Sequence, residues 1–96
     1  MPDPAAFDLP PRRALAAISP EARTAWRLRY CVQEGTELHA QARLEKVERE
    51  LRATGAETTI HTLWMALASR AAAEDHVDVR AAAGLAAMAM GLVGVG

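Results

Sequence analysis

The residues able to do covalent chemistry are few and scattered. There are two serines, Ser19 and Ser69, and neither lies in a Gly-flanked elbow that would expose a nucleophile on a strained turn. His39, His61 and His76 are far apart along the chain. A zinc site needs three or four His, Cys or carboxylate ligands at close spacing. Glu57 with His61, joined by His76 and Asp78, is the nearest approach to one, and it falls short; no metal site and no cofactor are expected. The terminal Gly91-Leu92-Val93-Gly94-Val95-Gly96 has no helix after its glycines to form a phosphate cradle. The chain therefore reads as a non-enzyme.

Binding chemistry is better represented. Between residues 12 and 29 stand Arg12, Arg13, Arg23, Arg27 and Arg29 against the single acid Glu21, although the whole chain has 11 basic and 12 acidic residues and a formal charge of −1. Such a cluster suits non-specific contact with nucleic-acid phosphates. Trp26 and Tyr30 are interleaved with it, which allows either of two readings: the aromatics stack on bases, or they enter the core while the arginines snorkel to water. The second is preferred, because few other large side chains are available for a core. Ala alone contributes 22 residues to a hydrophobic class of 51%. Such a thin core points to partner chains that complete the burial.

The elements that position these residues follow from capping signals and periodicity. Four prolines fall within residues 1–18 (Pro2, Pro4, Pro10, Pro11), which predicts a flexible N-terminal arm followed by one helical domain over 19–96. Ser19-Pro20-Glu21 is a helix start, with an N-cap, a proline at the first helical position and an acid in the first turn; that helix should reach about Glu34. A second helix over 37–53 follows the break at Gly35-Thr36, with Thr36 a candidate cap. It places Ala40, Leu44, Val47 and Leu51 on one face. Glu45 with Arg49 and Glu48 with Arg52 support its outer face.

The Ala40-Leu44-Val47-Leu51 stripe is too short for a stable coiled coil unaided, since about three to four heptads are usual. It is read as a self-association seam packed by other helices. A third helix carries Ile60, Leu63, Trp64, Leu67 and Ala71 and ends near Ala73. A fourth, with Asp78 as a candidate cap, carries Ala81, Leu85, Met88 and Leu92. Within it Ala83, Ala87 and Gly91 form a small-residue ladder that lets another helix approach. Residues 81–96 carry no charge but are shorter than the ~20 residues of a membrane span, so a C-terminal membrane anchor ranks only third among the functional readings. No strand pattern competes, and the fold class is all-α: a small four-helix bundle or helical-hairpin assembly. One cysteine, Cys31, and no secretory leader pattern suggest a cytoplasmic protein.

Residues 58–91, through Leu63, Leu67, Val79-Arg80, Ala82, Ala83, Leu85 and Gly91, resemble the helix pair of HEAT-like repeats and the helical segments of phage-type small terminase subunits. The resemblance implies a non-enzymatic, ring-forming scaffold. In small terminases such helices follow a DNA-binding head, and the ring hands DNA to a motor subunit; no helix-turn-helix head precedes them in this chain. The leading expectation is a self-associating helical adaptor, in its finest form a DNA-packaging subunit whose five arginines touch phosphates. The alternative is a regulatory module that sequesters a helix of a larger protein partner.

Overall fold

The helix with the smallest side chains lies at the centre. In the computed structural model, which describes residues 11–32 and 35–91, there are five helices: α1 (Pro11–Ala16), α2 (Pro20–Tyr30), α3 (Thr36–Ala53), α4 (Ile60–Ala73) and α5 (Val77–Ala89). No strand occurs among the described residues, and the fold is all-α. Every other helix packs on α5, most extensively α4 and α3. An amphipathic surface helix buries one stripe. By contrast, α5 buries Val79, Ala81, Ala82, Gly84, Leu85, Ala86 and Ala87, positions that go round its whole circumference.

The large apolar side chains come from the surrounding helices. Trp26 of α2, Leu44 and Val47 of α3, and Ile60, Leu63 and Leu67 of α4 are fully buried in one cluster with Leu85 and Val79 of α5. The Trp26 indole N–H donates to the Ala81 carbonyl at 2.9 Å, which satisfies the only polar atom of a side chain that is 0% exposed. Tyr30, one turn on, is half-buried and lies against Gly84. The aromatic pair of α2 is therefore core.

Local signals explain most helix ends. Ser19 accepts a hydrogen bond from the Ala22 N–H at 3.1 Å, with Pro20 beginning α2. That helix stops at Tyr30, short of the expected Glu34. Cys31 turns left-handed (φ 53°), and the Val32 N–H bonds back to the Arg27 carbonyl, a closure normally made with glycine. At the end of α3, Gly55 (φ 79°) and Ala56 bond to the Arg52 and Leu51 carbonyls in a Schellman motif. Helix α4 begins with a reciprocal box between Thr59 and Thr62. Neither expected cap at Thr36 or Asp78 forms. Thr36 is already the first residue of α3, after Gly35, and α5 begins at Val77, so His76 takes the cap and Asp78 falls in the first turn.

The packing corrects one larger expectation and gives two others an internal role. Residues 11–18 are not a loose arm: Pro11 sits at the first position of α1, where its missing N–H costs nothing, and Ala14, Leu15 and Ile18 are buried in the core. Residues 1–10 lie outside the described residues. The proposed self-association seam is also used internally. Ala40, Leu44 and Val47 are at most 1% exposed and Leu51 is half-buried, because α3 packs this face on α5 and α4 within one chain. The Ala83-Ala87-Gly91 ladder is likewise no open strip. Ala87 is buried, Ala83 is half-buried, and Gly91 (φ 74°) sits beyond the last helical turn; Leu92 lies outside the described residues. Trp64, one of the periodic residues of the third helix, is half-buried at the edge of the core, and Ser69 is exposed.

A Cβ at Gly84 would lie 2.4 Å from the Tyr30 ring. Gly84→Ala should therefore destabilise the fold by about 1–3 kcal/mol through overpacking. In a Tyr30→Ala background the same change should stabilise by about 1 kcal/mol, the helix-propensity gain of alanine over glycine. Urea unfolding of the four proteins in this cycle measures both numbers.

Candidate ligand-binding surfaces

The arginines of the N-terminal third are drawn into a clasp. Glu37 stands in the first turn of α3, where the helix dipole favours an acid. Its carboxylate pairs with Arg27 and, at 3.3 Å, with Arg23, both on α2. Arg23 also donates to the Leu15 carbonyl at the end of α1, at 3.0 Å. One carboxylate and two guanidinium groups thus join α1, α2 and α3. All three side chains are largely covered, a setting in which charge-assisted hydrogen bonds exceed ordinary surface pairs.

The five arginines expected to meet phosphate are consequently not equivalent. Arg23 and Arg27 serve the clasp. Arg12 is exposed and pairs with Glu45 of α3 at 3.4 Å, displacing the expected Glu45–Arg49 pair, whereas Glu48–Arg52 forms at 3.2 Å. Arg13 and Arg29 are exposed and make no ion pair among the described residues.

A second group of nitrogen-bearing side chains, two of them cationic, lies on α3. His39, Arg43 and Lys46 follow one another at steps of four and three, which keeps them on one side of the helix. With Ala42 and with Asp78 from the first turn of α5 they line an open groove of about 270 Å³. Arg43 is half-buried, and neither Arg43 nor Lys46 has an acid within ion-pair distance among the described residues. The spacing of these side chains was visible in the sequence. That α5 begins beside them was not, because it depends on how α3 crosses α5.

The third surface is the outside of α4. Its core positions Ile60, Leu63 and Leu67 fix the opposite side as His61, Met65, Ser69 and Ala72, all exposed, with Trp64 and Ala68 half-buried at the edge. The one charged residue of this helix, Arg70, turns inward to Glu50 of α3. Met65 is 54% exposed, and the His61 and Trp64 rings lie 6.1 Å apart. The outside of α3, by comparison, carries Lys46, Glu48, Arg49 and Arg52.

Among the described residues no three His, Cys, Asp or Glu side chains gather in a metal-binding group, and no helix is long and apolar enough to cross a membrane. Comparison with protein families, curated proteins and solved structures finds no match to this chain.

Glu37→Gln should lower stability by about 1.5–3 kcal/mol, the usual range for hydrogen bonds to charged groups, and part of that loss should disappear at high salt. Thermal unfolding at low and high salt reads both effects. A pH series tests the α3–α4 link. The hydrogen bond from Arg70, with the positive charges of Arg70, Lys46 and Arg43, holds the Glu50 carboxyl below its ordinary range against a smaller opposing effect of desolvation. Its contribution to stability is thus fully present above the unfolded-state pKa and is lost as pH falls through the lower native value. Wild type and Glu50→Gln should differ near neutrality and converge in acid.

Proposed function

We propose that this chain is a non-catalytic helical adaptor that self-associates through the outward face of α4. The observation that supports the reading is the absence of charge from that face, His61, Met65, Ser69 and Ala72 flanked by Trp64 and Ala68. A two-fold contact brings the same patch of each subunit together, so a charged face repels its own copy unless the signs interleave. An uncharged face with a methionine, an aromatic edge and small residues has no such repulsion and permits close helix approach. The fully buried side chains are apolar and serve packing.

The narrower version, a DNA-packaging subunit like the small terminases, loses Arg23 and Arg27 to Glu37 and shares Arg12 with Glu45, which leaves Arg13 and Arg29 for phosphate. The proposed contact lies on α4, because the Ala40-Leu44-Val47 stripe of α3 packs within the chain.

Light scattering across a concentration series is the test. Wild type should rise from monomer mass to dimer or higher at micromolar to high micromolar concentration. Met65→Glu with Ala68→Glu should remain a folded monomer with unchanged helical circular dichroism, because these positions are outside the core. Wild type that stays monomeric at the highest concentration overturns self-association and leaves the α4 face to a helix from a different protein.

A further inference from the structure

We infer that the groove between α3 and the start of α5 is a binding site for a small phosphate-bearing molecule, held by Arg43 and Lys46. Arg43 and Lys46 stand three residues apart on one helix face, where like charges repel, and among the described residues neither forms an ion pair that would offset this. Six of the eleven bases, Arg12, Arg23, Arg27, Arg52, Arg70 and Arg80, have carboxylate partners; of the other five, Arg43 and Lys46 are the two that line this groove. Arg43 and Lys46 have none among the described residues, and they share a concave surface.

The chemistry of the lining selects the ligand. A guanidinium presents paired N–H donors that match two oxygens of a phosphoryl group, and an ammonium adds a point charge. Half-burial of Arg43 restrains its stem, which lowers the entropy lost on binding. The same two positive charges disfavour a metal cation at His39 and Asp78. Asp78 is the single acid of the lining and can accept a hydrogen bond from a hydroxyl on the organic part of a phosphate ester. A volume of about 270 Å³ lies just under the range of drug-sized pockets, so the occupant is small. The shared chemistry is the phosphate group, whether free or on a small hydroxylated ester.

The full chain, isotope-labelled, is titrated with inorganic phosphate and separately with glycerol 3-phosphate at constant ionic strength, with chloride as the control. Saturable shifts of the His39, Ala42 and Asp78 amides are expected at millimolar ligand or below, and not with chloride. Tighter binding of glycerol 3-phosphate identifies an ester, and tighter binding of inorganic phosphate identifies the free ion; either supports the site. Arg43→Gln and Lys46→Gln should each weaken binding by about tenfold, in line with the loss of a charge-assisted contact. Asp78→Asn should strengthen inorganic phosphate relative to the ester. Lys46 is exposed, so Lys46→Gln carries the test if Arg43→Gln fails to fold. Shifts that never saturate, or affinities unchanged in Lys46→Gln, overturn the assignment.

Discussion

The fold depends on α5 being narrow. Four helices converge on one axis only if that axis presents little side-chain bulk, and from Ala81 to Ala87 the sole large residue is Leu85. Such a helix brings little apolar area of its own. The area comes from Trp26, Leu44, Ile60, Leu63 and Leu67, which close over it, and dense packing makes each junction sensitive to single methyl groups. The Trp26 indole bonded to the Ala81 carbonyl adds direction to an otherwise greasy contact, because a buried N–H left without a partner would cost about 1–3 kcal/mol.

Charge then organises the periphery. Glu37 gathers Arg23 and Arg27 at the junction of α2 and α3, and Glu50 holds Arg70 between α3 and α4. The first ties α2 to α3, and the second adds to the direct packing of α3 on α4. They also sort the basic residues into two populations, one consumed in holding helices together and one left facing solvent. Arg43 and Lys46 belong to the second, beside the first turn of α5. Binding chemistry survives in this chain where, among the described residues, no carboxylate closes an ion pair with the cation.

The all-α class and most helices were legible because periodicity and caps report local physics. Ser19-Pro20-Glu21 begins α2, Gly55 ends α3, and Ile60, Leu63 and Leu67 mark the buried side of α4. What escaped was non-local. Pro11 looked like a breaker, yet a proline in the first turn begins a helix, and Leu15 and Ile18 needed a core before α1 could matter. The Ala40-Leu44-Val47 stripe was correctly placed on one face, but the sequence does not say whether that face meets a second chain or α5. The arginine cluster is divided for a similar reason: Glu37, ten residues beyond Arg27, meets Arg23 and Arg27 only once α2 and α3 are folded against each other.

Both functional assignments use surfaces left over once α5 has been enclosed: the uncharged outside of α4 and the cationic groove on α3. The central claim is therefore that α5 is the last element to open. Native-state hydrogen exchange followed residue by residue tests it directly, since amides that exchange only on global unfolding identify the most protected unit. The amides from Leu85 to Ala87 should be the slowest in the chain and should exchange with the free energy of complete unfolding, while α1 opens earlier. Exchange of those α5 amides at a free energy below that of α3 and α4 would contradict the account, because the surrounding helices would then hold together without the axis on which they are proposed to depend.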